Sequence, residues 1–293
     1  MEKQRLSFYS EIAKNKRDSA FLIVIVIAVL ILLGYVIGLA VGGEWFVLIL
    51  IFSIVFSISY VMISYYNSDK IAIASVGAKV ADREKYRPYY HSVEGLCLAS
   101  GLTMPKLYIM ENPQINAFAS GRNPEHAVVC VTTGALEKLD KRELEGVLAH
   151  ELSHVANYDI RFMTLAAVLV GMVAIISQIF LRSLWFSGGR SRDNKNVVFI
   201  IIGIILAILA PVVVALVQLA ISRKREYAAD SSAVKFVRSP TGLIGALKKI
   251  KSNSEMKVSS AIAPLFLANP SRAKEFFQTH PPIEKRIERL EKM

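Results

Sequence analysis

The stretch His150-Glu151-Leu152-Ser153-His154 holds two imidazoles four residues apart. On a helix that spacing puts both rings on one face, at a separation suited to two ligands of a single tetrahedral ion. Glu151 supplies a carboxylate beside them, placed to hydrogen-bond a water on such an ion and to take its proton, which is the chemistry of metal-assisted hydrolysis. A metal that works catalytically wants a third protein ligand and an open position. The candidates are Asp159, Glu226, Asp230 and His280. Asp159 follows His154 so closely that it reads as a helix stop or a local ion-pair partner. Glu226 is the better candidate, because it opens Glu226-Tyr227-Ala228-Ala229-Asp230, a strong helix former in which Glu226 and Asp230 share a face. One of the two can then ligate while the other holds a histidine N–H.

These residues need elements to carry them. Asp140 with Glu143 makes a capping box, so a helix is predicted from there to about Asn157, with Leu144, Val147, Leu148 and Val155 as its apolar side. Upstream, residues 80–101 carry helix-like spacing in Tyr86, Tyr90, Val93, Leu96 and Cys97, and Pro105 then opens the strand-like run KLYIM. INAFASG and HAVVCVT are two further strand-like runs joined by the turn-rich Arg122-Asn123-Pro124-Glu125, a hairpin signal. The expected fold is mainly α with a small antiparallel sheet. His280 stands before Pro281-Pro282 and a helix with Ile283, Ile287 and Leu290 on one side, where a structural cap is the plainer reading than an oxyanion donor. The polar segment 252–279 before it, with its apolar interruptions, reads as a flap.

The chain has 293 residues, of which 53% are hydrophobic, too many for an ordinary soluble enzyme of this size. Four stretches reach the roughly 18–20 apolar residues of a spanning helix: about 19–41, 45–66, 162–181 and 197–221. The first is read as a retained anchor, since its apolar core is too long for a secretory signal. The expected organisation is a cytoplasmic tail (1–18), a transmembrane hairpin (19–66), the first part of the catalytic domain (67–161), a second transmembrane or membrane-associated hairpin (162–221), and the second part of that domain (222–293).

Basic residues before the first span (Lys3, Arg5, Lys14, Lys16, Arg17) and after the second (Lys70, Lys79, Arg83, Lys85, Arg87) place both flanks in the cytoplasm by the positive-inside rule. Arg223, Lys224 and Arg225 after the fourth span agree. Arg182, Arg190, Arg192 and Lys195 oppose it, leaving room for third and fourth segments that are tilted, re-entrant or packed on the protein. Two crossings between His154 and Glu226 return the chain to the same surface, so the halves of one metal site can be tethered by a membrane hairpin. Much of the net charge of +11 is juxtamembrane, where it orients helices and meets anionic lipid, and no nucleic-acid partner is expected. Cys97 and Cys130 are read as free, buried thiols on the reducing side.

The HELSH motif, the downstream EYAAD, the NAFASG stretch and the C-terminal THPPIEKRIERL resemble the HtpX-type membrane zinc endopeptidases, relatives of the CAAX prenyl proteases. The resemblance covers nearly the whole chain. It implies a zincin-like metalloprotease domain joined to about four transmembrane helices, in a multi-pass protein of the plasma or inner membrane. It also implies one zinc ion per chain, held by His150, His154 and Glu226, with Glu151 as catalytic base and Asp230 behind the ligands. The expected substrates are misfolded or damaged membrane proteins and unfolded polypeptides on the cytoplasmic side, with its own chain as a further candidate. Residues 116–121, beginning Asn116, Ala117 and Phe118, would be an edge strand that pairs with extended substrate, and His280 would join the substrate site.

Other readings compete. The metzincin pattern is excluded by Asn157 and Ile160, which replace its Gly and His. An intramembrane protease is excluded because Asp140, Lys141, Arg142, Glu143 and Glu145 precede the motif. A CAAX-type prenyl-protein processing protease would need an enclosed chamber of more spans than four. A non-catalytic zinc-binding membrane scaffold would have no use for Glu151, since structural zinc sites favour four protein ligands rich in Cys.

Overall fold

The computed structural model describes residues 8–41, 43–165, 223–252 and 281–293. His280, nearly all of the expected flap and all but the first residues of the expected second hairpin (162–181 and 197–221) lie outside the described residues.

Helix α1 (Phe8–Val41) and helix α2 (Trp45–Tyr66) form the first hairpin and pack along each other. Near their turn Tyr35 meets Phe46 edge to face, with centroids 5.7 Å apart. α2 coincides with the expected span. Its mean hydropathy is 2.7 over an 18-residue window, and it leaves large apolar side chains such as Phe52 (66%) and Trp45 (63%) exposed. Among the described residues it is the one helix long and apolar enough to cross a membrane. α1 has no break at the expected tail boundary, residues 18–19, but starts a helix at Phe8 and runs through.

After α3 (Ser68–Val76) comes a four-stranded sheet of β1 (Lys79–Val80), β2 (Lys106–Met110), β3 (Ala117–Gly121) and β4 (Ala127–Thr132). The strand order is β1-β2-β4-β3. β3 and β4 form the expected antiparallel hairpin, with the Asn123 side chain accepting from the His126 N–H in the turn. The expectation of an antiparallel sheet is corrected by β2 and β4, which pair in parallel. The chain reverses once into β3 and again into β4, so β4 regains the direction of β2 and settles beside it; each turn is visible in the sequence, but the choice of neighbour is not. The expected helix over 80–101 is also corrected. Val80 belongs to β1, and α4 covers only Arg87–Ser100, with Pro88 in its first turn, where a missing N–H costs nothing.

Alternation along the strands builds two cores. Leu107, Ile109, Ala117, Ala119, Val129 and Val131 face a cluster that includes Tyr89 and Val93 of α4 and Leu148 and Leu152 of α6 (Lys141–Ala156). Met110, Phe118, Val128 and Cys130 face Ala72 and Ile73 of α3 together with Met163. Strands that are apolar on both sides are what a sheet covered on both faces requires. Between β4 and α6 lies the short α5 (Thr133–Lys138). Cys97 and Cys130 are free and buried.

α6 has the predicted capping box. The Asp140 carboxylate accepts from Glu143 N–H at 2.9 Å, and the Glu143 carboxylate accepts from Asp140 N–H at 2.8 Å. Glu143 also takes Lys249 Nζ at 2.6 Å from α8 (Thr241–Ser252), so the cap ties two helices. The chain continues from α7 (Arg223–Val237) through α8 to α9 (Ile283–Leu290); α7 and α8 both pack on α6.

α6 and α8 cross where Gly146 meets Gly242. A Cβ on Gly146 would lie 2.4 Å from Leu243 N and 2.8 Å from the Gly242 carbonyl carbon, so backbone meets backbone and neither side can yield. Gly146→Ala is therefore expected to push the helices apart at a cost of about 1–3 kcal/mol, whereas Asp140→Ala loses only the cap, about 1 kcal/mol. Denaturant unfolding of the two variants should rank them in that order, and a Gly146→Ala protein as stable as the parent would contradict the close crossing.

Candidate metal centre

The inner face of α6 and the first turns of α7 bring His150, His154 and Glu226 together, with one donor atom from each lying within 4.8 Å of the others. The three are buried, at 1%, 4% and 1% exposure. His150 Nε2 and His154 Nε2 are 3.2 Å apart. Glu226 Oε2 lies 3.6 Å from His150 Nε2, and its Oε1 lies 3.5 Å from His154 Nε2. Glu151, on the same helix, is 2% exposed. The structure thus brings together four of the residues singled out in the sequence from two segments separated by more than seventy positions.

Each histidine is held from behind, through Nδ1. His154 Nδ1 is 3.0 Å from Asp159 Oδ2, and His150 Nδ1 is 3.0 Å from Asp230 Oδ1. A carboxylate at Nδ1 fixes the proton there and leaves the Nε2 lone pair pointing inward. Two such lone pairs facing each other at 3.2 Å, with a carboxylate closing the triangle, repel unless a cation or protons sit between them.

Spacing tests whether a cation fits. Ligand bonds of about 2.0–2.1 Å at the tetrahedral angle put ligand atoms about 3.3–3.4 Å apart. The two Nε2 atoms stand 3.2 Å apart, and each has one oxygen of the Glu226 carboxylate close to that distance, Oε2 at 3.6 Å from His150 and Oε1 at 3.5 Å from His154. Charge agrees. Among the described residues, four buried carboxylates, Glu151, Asp159, Glu226 and Asp230, stand against two guanidiniums, Arg286 beside Asp230 and Glu226 and the partly exposed Arg225 beside Asp159, an excess of negative charge that a dication would offset.

Arg286 was not singled out by the sequence reading. It is 1% exposed and grips Asp230 with two hydrogen bonds, Nε to Oδ2 at 3.0 Å and Nη2 to Oδ1 at 2.7 Å. Its Nη1 lies 3.8 Å from Glu226 Oε2. His150 Nδ1 and Arg286 Nη2 share Asp230 Oδ1 as acceptor, which leaves them 3.3 Å apart. The signal was present in α9, where Ile283, Arg286, Ile287 and Leu290 share one inward stripe with an arginine among its apolar members. Asp159 was read as a helix stop or a local ion-pair partner, and it is the second: Tyr158 adopts a left-handed backbone (φ 62°) that turns the chain back, and Asp159 stands against His154 and Arg225.

The electrostatics follow from these contacts. Burial and Arg286 both work against a protonated His150, but the carboxylates of Asp230 and Glu226 outweigh them and raise its pKa to about 9 in the metal-free protein. Burial likewise opposes protonation of His154, and Asp159 and Glu226 raise it nonetheless. For Asp230 burial would favour the neutral acid, yet Arg286 and His150 hold it down to about 2. Arg286 is raised: burial disfavours its charge, and Asp230 more than restores it.

β3 lies at one edge of the sheet and packs on α6. The side chains of Asn116, Ala117 and Phe118 are buried, at 3%, 0% and 1% exposure. Phe118 points to the α3 side and Ala117 to the α6 side.

Comparison with known proteins identifies the family. The profile of peptidase family M48 matches residues 89–293. A protease HtpX homolog of Caldanaerobacter subterraneus subsp. tengcongensis is 43% identical over 295 residues, covering 98% of each chain. The homolog of Thermoanaerobacter pseudethanolicus is 43% identical over 297 residues, covering 99% of each. Among solved structures, S. mikatae Ste24p superposes with a TM-score of 0.49 at 19% identity, over 81% of this chain and 56% of that one. With the family profile spanning both α6 and α7, this chain belongs to peptidase family M48 and is a metalloprotease.

Proposed function

We propose that the chain is a zinc-dependent endopeptidase of the membrane that cleaves misfolded or damaged membrane proteins on the cytoplasmic side. The observation that carries the metal assignment is the separation of 3.2–3.6 Å among His150 Nε2, His154 Nε2 and the Glu226 carboxylate. These three residues would hold one zinc ion. When bound, zinc supplies a Lewis acid that polarises the scissile carbonyl and makes a water nucleophilic near neutral pH.

The chain's own residues do the rest. Glu151 accepts the proton of the attacking water and delivers it to the departing amine, so the C–N bond breaks without releasing an amide anion. Asp159 and Asp230 keep the histidine protons on Nδ1, and Arg286 keeps Asp230 ionised. The edge of β3 offers main-chain hydrogen bonds to an extended substrate without regard to sequence. Asn116, Ala117 and Phe118 would contribute through backbone alone, since their side chains are buried. α2, whose exposed apolar surface has no place in water, supports membrane embedding. The second hairpin, residues 162–221, would return the chain to the same face.

Ligand and base separate by substitution. Glu226→Ala is expected to lose zinc and activity together, because two histidines alone hold the ion weakly. Glu151→Gln is expected to keep zinc and lose cleavage, since an amide accepts no proton. Zinc content and peptidase activity after identical purification measure both, and turnover by Glu151→Gln would remove the hydrolytic mechanism.

The stability of metal-free protein should depend on pH with a defined sign. His150 is raised from 6.5 to about 9, so its contribution is complete below about pH 6.5 and is lost as pH climbs through about 9. Asp230 contributes above about pH 3.8 and loses its share as pH falls through about 2. Melting temperatures of chelated protein should therefore decline from pH 6.5 to 9, while added zinc, which replaces the proton, abolishes the decline. A flat metal-free profile across that range would contradict the buried histidine–carboxylate cluster.

Orientation is read by labelling. Ala99→Cys on α4 and Ser231→Cys on α7, both exposed positions, should resist an impermeant thiol reagent in intact cells and react after lysis. Labelling of either in intact cells would contradict the cytoplasmic placement.

A further inference from the structure

We infer that Asn15, on the first helix and before its apolar run, is a positioning residue of the metal site, so that the amino-terminal helix helps set the geometry of a ligand as well as anchoring the chain. The inference rests on the metal reading above and extends it to a segment far from the ligands in sequence.

Asn15 is 4% exposed. Its amide nitrogen donates twice, to the Asn157 carbonyl at 2.9 Å and to Asp159 Oδ1 at 2.7 Å. Both partners are acceptors, which fixes the orientation of the amide with its NH2 toward the turn. The other oxygen of Asp159, Oδ2, is the one at His154 Nδ1. A line of hydrogen bonds thus runs from α1 through Asp159 to His154, whose opposite nitrogen faces the metal position. With Oδ1 held by Asn15, the carboxylate cannot rotate without breaking a buried hydrogen bond, and Oδ2 stays aimed at the imidazole.

The surrounding contacts fasten the same turn of α1 to the same loop. Within α1 itself the fully buried Ser19 donates to the Asn15 carbonyl at 2.7 Å, and the links to the loop come from its neighbours. The Lys16 ammonium lies 4.2 Å from the ring centroid of Tyr158, the residue whose left-handed backbone turns the chain back toward His154. Arg225, next to the ligand Glu226, reaches Asp18 Oδ2 and Asp159 Oδ1 at 3.8 Å each. One turn of α1 therefore touches both segments that supply ligands. An anchor alone has no use for a buried amide, which costs free energy unless every donor is matched; here both donors are matched at the loop that carries the partner of His154.

The test measures metal affinity rather than activity. Full-length protein in detergent is titrated with zinc against a chromophoric chelator for the wild type, Asn15→Leu, Asp159→Ala and the double variant. Loss of such a partner behind a ligand commonly weakens affinity 10- to 100-fold, and Asn15→Leu is expected to fall toward or within about that range. Because Asn15 acts through Asp159, the double variant should bind no more weakly than Asp159→Ala alone, whereas a merely structural role would give additive losses. The visible spectrum of the cobalt-substituted protein should shift in Asn15→Leu as His154 reorients. If the leucine variant does not accumulate, Asn15→Ser, polar but too short for both contacts, is expected to show the same non-additive loss.

Wild-type zinc affinity in Asn15→Leu or Asn15→Ser, or additive losses in the double variant, overturns the role of Asn15. A wild-type protein that takes up no zinc overturns the metal assignment itself, a different and distinguishable result.

Discussion

Three lone pairs converging on one buried point form the constraint on which the rest depends. His150, His154 and Glu226 aim donor atoms at one another across 3.2–3.6 Å in a region almost closed to solvent. Buried charge is tolerated only when it is paired and hydrogen-bonded, and the groups behind the two histidines are paired in this way. Asp159 and Asp230 orient the imidazoles, Arg286 neutralises Asp230, and Asn15 fixes Asp159. Each of these comes from a different element, so the charge cluster specifies how α1, α6, α7 and α9 meet.

The scaffold supplies the rigidity that such a cluster demands. α6 is buried along nearly its whole length, with the sheet and α4 on one side and α7 and α8 on another. Its start is fixed by a capping box whose Glu143 also reaches Lys249, and its spacing from α8 by two glycines in backbone contact. The histidines therefore project from a helix with little freedom to shift, which is how a site holds ligands to within a fraction of an ångström.

Local signals were legible in the sequence, and partnerships were not. The capping box at Asp140, the apolar α2 helix, the β3–β4 hairpin and the shared faces within HExxH and within ExxxD all rest on spacings within a few residues, which a sequence displays directly. The parallel β2–β4 pair was missed because two successive reversals decide it. Asp159 was legible as a local ion-pair partner, but that its partner is the metal-facing His154 was not, because nothing in the residue type of Tyr158 announces its left-handed turn. Arg286 was hidden in a polar-looking helix, although its place on the apolar stripe marked it as buried. Asn15 sat in a basic, tail-like stretch, where nothing local shows that the helix begins at Phe8 and reaches the metal-site loop.

X-ray absorption at the zinc edge of the purified protein tests the central claim most directly. The account predicts a first shell of nitrogen and oxygen only, at about 2.0–2.1 Å, with the outer-shell scattering of two imidazoles. A sulfur shell, which would bring in Cys97 or Cys130, or a third imidazole, which would bring in His280 or another histidine, would contradict it.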